Sequence, residues 1–245
     1  MRRFGLIGKT LKHSFSKTYF TEKFRDEGIQ NCLYESFELS SIDEFPGLVS
    51  RYPDLEGLNV TIPYKEAVLP FLDERNEVVQ AIEACNCIKI SRGKLLGFNT
   101  DVAGFRNSLQ PRLKPHHKKA LILGSGGAAK AVKYALQQLA VECLVVSRRK
   151  EAGDLGYEDV DDEVLNDYTL LINTTPLGMY PNTNDDPPIP YEYVTSRHFL
   201  FDLIYNPAKT RFLERGEKQG AQIANGYEML LLQAEESWRI WNEGS

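Results

Sequence analysis

The sequence predicts a two-domain α/β protein whose sheets are mostly parallel. Two observations predict this fold class: strand-like and helix-like segments alternate along the chain, and a Pro-rich, basic stretch at 111–119 interrupts the alternation before it starts again. The 245 residues supply enough apolar side chains for a core in each unit. We therefore expect a first domain over 1–103, completed by a C-terminal helix over 226–245, and a second domain over 104–225.

The first unit opens with an apolar segment, FGLIG at 4–8, which predicts a short buried strand. A helix is expected over 16–28, with Ser16 as its N-cap and Gly28 as its C-terminal stop. The segments CIKI and LLGF flank the turn SRGK and predict a β-hairpin that breaks the alternation. The other expected elements are strands over 32–39 and 57–61, a helix over 41–51, a helix that begins near Pro63, and a helix over 100–109 capped by Thr100 or Asp101.

The second unit begins a fresh alternation of strands and helices after Lys119. ALILG at 120–124 predicts a buried strand, and a helix is expected directly after it over 127–139. The remaining expected elements are strands over 142–147, 169–175 and 199–205, a helix over 209–219, and a final helix from about Gly226 to Trp241.

The composition excludes several classes of function. The chain is 42% hydrophobic and 26% charged, which is typical of globular proteins, and its net charge of −5 without a basic stripe argues against nucleic acid as a partner. The apolar stretch after the N-terminal arginine pair is broken by Gly8 and Lys9, too early for a signal peptide. No stretch approaches the length of a membrane span. We expect a cytoplasmic protein without a membrane partner, either a monomer or a homodimer.

The four cysteines lack the density and spacing of a disulfide framework. Cys85 and Cys87 would share one strand face, but no CxxC motif and no suitably spaced histidine accompany them. We therefore predict that both are small buried side chains, and no metal is expected.

A glycine-rich motif lies between the first strand and the first helix of the second unit. ALILGSGGAAKAVKYAL has the pattern G-x-G-x-x-A at Gly124, Gly126 and Ala129. Glycines in such a turn allow the backbone to approach a pyrophosphate, and the N-terminus of the helix offers unpaired N–H groups. A tight turn that happens to be rich in glycine is the alternative, but the strand and helix around the motif favour a Rossmann-like dinucleotide site.

The next strand ends at Ser147, about where an NAD-specific site carries an acid for the ribose 2′-hydroxyl. The sequence has Ser147-Arg148-Arg149-Lys150 there instead. A guanidinium can bind a 2′-phosphate through two parallel hydrogen bonds, whereas an acid would repel it. The run could also be a solvated basic turn, but its place after the glycine-rich motif favours NADP over NAD.

The segment GLNVTIPYKEAV places a lysine in an unfavourable position. If Pro63 is the first residue of a helix, Lys65 lies in the first turn, where the helix dipole disfavours a cation by about 0.3–1 kcal/mol. Taken alone, Lys65 is best explained as an ordinary surface lysine. Asn59 and Thr61 change this interpretation, because they project from one strand face and flank the lysine with uncharged hydrogen-bonding groups.

Further polar residues follow other strands or begin helices. Asp101, in GFNTDVAGF, is a helix N-cap or a partner for the lysine, and Ser14 and Ser16, in KHSFSKTY, are turn residues or ligand contacts. The ligand crevice of an open parallel sheet lies outside the carboxyl ends of its strands. One small, hydroxyl-rich substrate could therefore contact all of these segments.

Taken in order, the motifs HSFS, NVTIPYK, ACN, NTDVAG, GSGGAA, SRR, INTTPLGM, DLIYNP and NGYEMLLLQA closely resemble the shikimate dehydrogenase family over nearly the whole chain. The resemblance implies an N-terminal substrate domain, a Rossmann-like NADP-binding domain, and NADPH-dependent interconversion of 3-dehydroshikimate and shikimate in the pathway to chorismate and aromatic amino acids. It also implies roles for individual residues. Ser14 and Ser16 would hold the substrate carboxylate, and Lys65 and Asp101 would form the catalytic pair. Substrate contacts would come from Thr61, Asn86, Tyr205 and Gln233, and the cofactor would be lined by Glu77, Gly124, Ser125, Gly126, Gly127, Ala128, Ser147, Arg148, Arg149, Leu203 and Gly226.

These roles fit the chemistry of the reaction. Hydride transfer to a ketone makes an alkoxide that needs a proton, and a lysine ammonium at the reacting oxygen can give that proton and take it back in reverse. The chain departs from the family pattern at Lys17, where proline is usual, at Cys87 and Arg149, where threonine is usual, and at Ser147, where asparagine is usual.

Three other functions are compatible with the pattern. A quinate/shikimate dehydrogenase of broader substrate range could use the same site with NAD, although the missing strand-end acid argues against NAD. A module that senses shikimate or NADP without catalysis would not need both Lys65 and Asp101, and both are present. Another dehydrogenase of the amino-acid type could share the two-domain plan, but the paired serines argue against it.

Overall fold

The computed structural model describes residues 1–11 and 14–243. The histidine of the HSFS motif, His13, and the last two positions of the predicted C-terminal helix lie outside the described residues. The chain divides into two compact α/β units, one formed by residues 1–100 and 234–245 and the other by residues 101–233. The predicted class is confirmed. Within the described residues, no helix is both long enough and apolar enough to cross a bilayer.

The first unit contains a six-stranded mixed sheet with the strand order β2-β1-β3-β5-β6-β4. The strands are β1 (Arg2–Gly8), β2 (Cys32–Glu38), β3 (Leu55–Val60), β4 (Glu74–Arg75), β5 (Cys87–Ser91) and β6 (Lys94–Phe98). The helices are α1 (Phe15–Asp26), α2 (Phe45–Arg51), α3 (Tyr64–Ala67), α4 (Glu77–Ile82), the start of α5 (Thr100–Leu109), and the C-terminal half of α9 (Tyr227–Asn242). β1 pairs in parallel with both β2 and β3, so their carboxyl ends lie at one edge of the sheet.

The predicted hairpin is confirmed as the antiparallel pair β5–β6, in which Ser91 is opposite Lys94. The two residues between them, Arg92 and Gly93, both have positive φ, 52° and 75°. Two consecutive positive φ values define the tight turn whose twist matches that of antiparallel strands, and glycine adopts them without steric cost.

Several elements differ from the sequence prediction. The predicted helix over 41–51 is a 3-10 turn (Ile42–Glu44), begun by a capping box between Ser41 and Glu44, followed by α2. The N-cap of α1 is Ser14, so the prediction of Ser16 is wrong; Gly28, with φ +63°, does follow the end of that helix. The short strand β4 and helix α4 were not predicted, because both are too short to carry a clear periodic pattern.

The second unit contains five parallel strands in the order β11-β10-β9-β7-β8. The strands are β7 (Lys119–Leu123), β8 (Glu142–Val146), β9 (Leu170–Asn173), β10 (Phe199–Asp202) and β11 (Gln222–Ala224). Its helices are α6 (Gly127–Gln138), α7 (Asp162–Asp167) and α8 (Arg211–Lys218), with the remaining parts of α5 and α9. The predicted strands and helices are present with small shifts of their boundaries, whereas α7 and β11 were not predicted.

The end of α9 packs into the core of the first unit through aromatic rings. Trp241 stacks on Phe4 with ring centroids 4.9 Å apart, and its indole Nε1 donates to the Ile88 carbonyl at 3.0 Å. Gly57 in β3 makes this possible, because a Cβ at that position would overlap the Trp241 ring. A stacked aromatic pair contributes roughly 0.5–1.5 kcal/mol beyond area burial, so the end of the last helix is an integral part of this unit.

Candidate active site

The carboxyl ends of β1 and β3 carry the predicted substrate-binding segments of the first unit. Thr61 directly follows β3, and its backbone N–H donates to the Ile7 carbonyl at 3.0 Å. A Cβ at Gly8 would lie 2.7 Å from Thr61 Cγ2, so the lack of a side chain at Gly8 lets the two strand ends approach closely. Thr61 is half-buried at this edge of the sheet, as the strand-end argument predicts.

Lys65 lies in α3, a helix of only four residues. Pro63 is the N-cap of this helix, so the helix begins near Pro63 as predicted, and Lys65 is its second residue. A single turn carries little of the aligned dipole of a long helix, so the predicted cost of a cation here is small. The helix is fixed from both sides, since the buried Tyr64 hydroxyl donates to the Leu39 carbonyl at 2.5 Å and the Lys65 carbonyl accepts from the Cys85 N–H at 2.8 Å.

A buried polar network surrounds the predicted substrate residue Asn86. Asn86 Oδ1 accepts from the Thr100 backbone N–H at 2.6 Å, and its Nδ2 donates to Thr100 Oγ1 at 3.1 Å. Thr100 Oγ1 lies 3.2 Å from Ser237 Oγ, which accepts from Asn59 Nδ2 at 2.9 Å. The Tyr34 hydroxyl completes the network by donating to Asn59 Oδ1 at 2.9 Å. All five residues are buried, so the orientation of the Asn86 amide is determined by the fold.

This network changes two predictions. Thr100 and Asp101 are the first two residues of α5, so neither is its N-cap, and the acceptor for the first helical N–H is the side chain of Asn86 from another segment. The Asn59 side-chain amide both donates and accepts hydrogen bonds within the buried network, so Asn59 supports the site from inside the core. Sequence reasoning missed Tyr34 and Ser237, because nothing local to either residue marks it as a partner of Asn59.

The paired serines lie at the start of α1. Ser14 is the N-cap, yet its hydroxyl makes no side-chain capping bond, and its Oγ is buried without a hydrogen-bond partner among the described residues. Burial raises the pKa of the nearby Tyr34 hydroxyl well above its usual value, and the Ser16 side chain opposes that shift. An unsatisfied buried hydroxyl costs about 1–3 kcal/mol. A hydroxyl with spare hydrogen-bonding capacity at a helix N-terminus is an arrangement that suits a carboxylate.

The two cysteines that flank Asn86 are buried, as predicted. Cys85 and Cys87 are both fully buried, and burial raises the pKa of Cys85 to about 12 and that of Cys87 further. Their thiols are therefore protonated and inert.

Glu77, the least direct of the predicted cofactor contacts, is the first residue of α4 and directly follows its N-cap, Asn76.

The glycine-rich loop of the second unit presents bare backbone. Gly126 is the N-cap of α6 and offers no side-chain cap, and a Cβ at Gly126 or Gly127 would meet no atom within 4 Å. Gly124 differs, because it has φ +108° and a Cβ there would lie 2.8 Å from Thr174 Oγ1. The open space beside the first turn of this 12-residue helix fits a diphosphate bound by backbone N–H groups. Ser125 and Ala128 complete the predicted loop.

The turn after β8 is connected to this loop by a serine pair. The buried Ser147 places its Oγ 3.1 Å from Ser125 Oγ, and it accepts from the Arg149 N–H at 3.3 Å. Arg148 and Arg149 form no ion pair with any described residue, whereas Lys150 pairs with Asp159 at 2.8 Å. Two guanidinium groups that pair with no described carboxylate, next to a diphosphate cradle, fit a 2′-phosphate.

The other predicted cofactor residues meet at the ends of β10 and β11. Leu203 donates its N–H to the Asn173 carbonyl at 3.1 Å, and Gly226 packs against the Leu203 carbonyl so closely that any side chain at Gly226 would overlap it. Tyr205 is 39% exposed on the loop after β10. Gln233 lies on α9, where a Cβ at Gly104 would come within 2.9 Å of Gln233 Cβ, so the close packing of α5 and α9 depends on that glycine.

The predicted residues therefore fall into two groups. Ser14, Ser16, Thr61, Lys65, Glu77 and Asn86 belong to the first unit, and the remaining thirteen, including Asp101, belong to the second. Most residues of each group occupy the carboxyl-end loops of their own sheet or the helices that follow them.

The sequence is similar to those of known proteins over nearly its whole length. A family model described as the shikimate dehydrogenase substrate binding domain matches residues 6–88. The shikimate dehydrogenase (NADP(+)) of Caldicellulosiruptor bescii is 39% identical to this chain, covering 98% of it and 89% of the relative. This chain belongs to the shikimate dehydrogenase family.

Solved structures of family members agree with the fold. The shikimate 5-dehydrogenase of Thermus thermophilus, in complex with NADP(H) and shikimate, is 31% identical with a TM-score of 0.88, covering 99% of this chain and 94% of that one. The quinate dehydrogenase of Corynebacterium glutamicum, in complex with NAD, is 25% identical with a TM-score of 0.89, covering 98% and 93%. The shikimate dehydrogenase fold thus occurs in relatives that are named for two substrates and solved with two cofactors.

Proposed function

We propose that this protein is an oxidoreductase that reversibly reduces 3-dehydroshikimate to shikimate with NADPH, in the shikimate pathway to chorismate and aromatic amino acids. The observation that carries the proposal is the 39% identity to an NADP(+) shikimate dehydrogenase over 98% of the chain. The arginines of the Ser147–Arg149 turn, which pair with no described carboxylate, support NADP as the cofactor.

The first unit would hold the ring of the substrate. Ser14, whose hydroxyl has no partner among the described residues, and Ser16 would bind the carboxylate at the start of α1. Thr61 and Asn86 would contact the ring hydroxyls, and the network behind Asn86 keeps its amide from rotating. Tyr205 and Gln233 would contribute from the second unit.

Lys65 and Asp101 would carry out the proton transfer. NADPH, when bound, supplies the hydride to the carbonyl carbon. The Lys65 ammonium donates a proton to the carbonyl oxygen as negative charge develops there, and in the oxidising direction the neutral amine removes the hydroxyl proton. The Asp101 carboxylate would position the ammonium and favour its charged form.

The cofactor would lie along the second unit. Gly124 to Ala128 would cradle the diphosphate, Ser147 to Arg149 would bind the adenosine 2′-phosphate, and Leu203 and Gly226 would line the remainder, with Glu77 approaching from the first unit. Residues 1–103 with 226–245 would form the substrate domain and residues 104–225 the NADP domain. The four cysteines are free thiols, which supports the cytoplasm as the location, and the enzyme would act as a monomer or homodimer without a nucleic-acid partner.

An initial-rate assay that crosses shikimate and quinate with NADP⁺ and NAD⁺ tests this function. We expect the highest kcat/KM for shikimate with NADP⁺, and the Lys65→Ala protein is the matched control for contaminating activity. A higher kcat/KM for quinate with NAD⁺ would assign the alternative dehydrogenase. Binding of shikimate and NADP⁺ without turnover of any pair would instead assign a sensing module.

A further inference from the structure

A carboxylate is buried at the carboxyl end of β10, in the middle of the second unit. Asp202 has no exposed surface and no ion pair with any described residue, and burial raises its pKa to about 6. Burying a carboxylate without a cation opposes folding. The position of Asp202 therefore calls for a role beyond packing.

Asp202 accepts hydrogen bonds from three different segments. Its Oδ2 accepts from the Thr210 hydroxyl at 2.6 Å, and Thr210 is the N-cap of α8. Its Oδ1 accepts from the Ile204 N–H at 3.0 Å and from Asn173 Nδ2 at 3.1 Å. A carboxylate has acceptor sites for all three donors, whereas an amide has a single acceptor oxygen.

The carboxylate also determines the orientation of Asn173 at the end of β9. Because an ionised Asp202 can only accept, Asn173 must turn its Nδ2 toward it, which leaves Oδ1 for the next turn. There Oδ1 accepts from the Thr175 N–H at 3.0 Å and from the Thr175 hydroxyl at 2.6 Å. The Thr175 hydroxyl oxygen in turn accepts from the Leu177 N–H at 3.2 Å, so the whole turn depends on one amide orientation.

This turn lies directly against the glycine-rich loop. A Cβ at Gly124 would lie 2.8 Å from both Thr174 Oγ1 and Thr175 Cγ2, and the Thr174 hydroxyl donates to the Leu123 carbonyl at 2.8 Å. On its other side, Asp202 fixes Ile204, whose carbonyl accepts from the Gly226 N–H at 3.1 Å. One continuous set of contacts therefore joins the two backbone segments that would line the cofactor.

We propose that Asp202, acting through Asn173, is a positioning residue that sets the glycine-rich loop against the Leu203–Gly226 backbone so that both bind one NADP molecule. The inference rests on the proposed function for the identity of the cofactor. Its loss weakens cofactor binding far more than substrate affinity, because Asp202 acts on segments of the second unit, whereas most of the proposed substrate contacts belong to the first.

Asp202→Asn tests the proposal, because the amide keeps the size of the side chain while turning an N–H₂ group toward at least one donor. We expect the Kd of NADP⁺, measured by titration of the protein without turnover, to rise by about tenfold or more. The KM for shikimate should stay within about twofold. The matched control is His198→Gln at the opposite end of β10, where the buried His198 bonds the Leu165 carbonyl and the Thr195 N–H; it should lower thermal stability and leave the Kd within about twofold.

Thr210 provides a milder pair of variants if Asp202→Asn does not fold. Thr210→Val removes one donor to the carboxylate and should raise the Kd of NADP⁺ by about threefold, whereas Thr210→Ser retains the hydroxyl and should restore it. An unchanged Kd in the folded variants, or an equal rise in His198→Gln, overturns the positioning role. A parent protein that binds NADP⁺ but does not oxidise shikimate contradicts the proposed function alone, and one that does not bind NADP⁺ contradicts both.

Discussion

The two units prepare their strand ends for ligands in different ways. In the first unit, side chains are held by other side chains: Asn86 is fixed through Thr100, Ser237 and Asn59, all buried. In the second unit, the proposed cofactor surface is bare backbone at Gly126 and Gly127 and two arginines that pair with no described carboxylate. A hydroxyl-rich ring needs hydrogen bonds at fixed angles, while a diphosphate needs only dense N–H groups and positive charge. The two kinds of site should therefore fail differently when they are altered.

The largest effect is expected at Lys65 in the first unit. Lys65→Ala should lower kcat by about 10²–10⁴-fold, the usual contribution of general acid–base catalysis. Substrate affinity should fall much less, because the serines and Asn86 remain in place. Steady-state kinetics with shikimate and NADP⁺, together with a shikimate titration, check this, and near-normal turnover would return Lys65 to an ordinary surface lysine.

Asp101→Asn should also lower kcat, since it keeps the shape of the side chain and removes the charge that would position the ammonium. The double variant should lose far less than the product of the two single losses, because residues that act as a unit are not additive. Multiplicative losses in the double variant would show that the two residues work separately.

The next largest effect is expected at the bare backbone of the second unit. Gly126 has φ −80° and ψ −175°, which any residue adopts, and a Cβ there meets no atom within 4 Å. Gly126→Val should therefore leave the Tm unchanged. Its side chain should block the approach of the diphosphate and so weaken NADP⁺ binding by about 10²-fold. Gly124→Ala is the contrasting variant, because φ +108° and the contact with Thr174 should lower the Tm as well. An equal loss of Tm in the Gly126→Val and Gly124→Ala proteins would contradict the expected difference between the two glycines.

A smaller effect is expected at the arginines after β8. Arg148→Ala should weaken NADP⁺ binding by at least about tenfold, which corresponds to a lost charge-assisted contact of about 1.5–3 kcal/mol. It should leave the affinity for NAD⁺ nearly unchanged. Lys150→Ala is the matched control, because Lys150 is already paired with Asp159. Titration with both cofactors measures the difference, and a parallel loss of NAD⁺ would show that Arg148 does not bind the 2′-phosphate.

The smallest effect concerns pH and is confined to the second unit. Burial lowers the pKa of His117 and of His198 below the ordinary value of 6.5. Just below pH 6.5 the unfolded chain therefore binds more protons at these histidines than the folded chain does. The contribution of the neutral histidines to stability is complete above about pH 6.5 and is lost as the pH falls below it. Asp202 acts in the opposite sense, since its pKa of about 6 makes its contribution to stability disappear as the pH rises from about 4 to 6.

Raising the pH from about 5.5 to about 7.5 should therefore increase the urea midpoint more, or decrease it less, for the parent protein than for a variant with glutamine at both histidine positions. A parent and variant with the same pH dependence would show that neither histidine has a lowered pKa in the folded protein.

Local patterns in the sequence determined most of the elements and the glycine-rich loop. The paired positive φ values at Arg92 and Gly93 follow from a two-residue turn between alternating segments. The cradle at Gly124 to Gly127 follows from glycines between an apolar strand and a helix. In each case the residues that decide the structure are neighbours in the chain, so their spacing carries the information.

Tertiary structure alone decided which distant residues support the sites. Ser237 lies 178 positions from Asn59, and Asn86 lies 14 positions from the N–H that it caps, so no spacing rule connects them. The same applies to Asp202 and Asn173 at the ends of adjacent parallel strands, which are 29 positions apart. In the sequence, a polar residue that becomes buried looks the same as one that stays exposed. Only after folding removes it from water must its hydrogen-bonding groups find a specific partner in the protein.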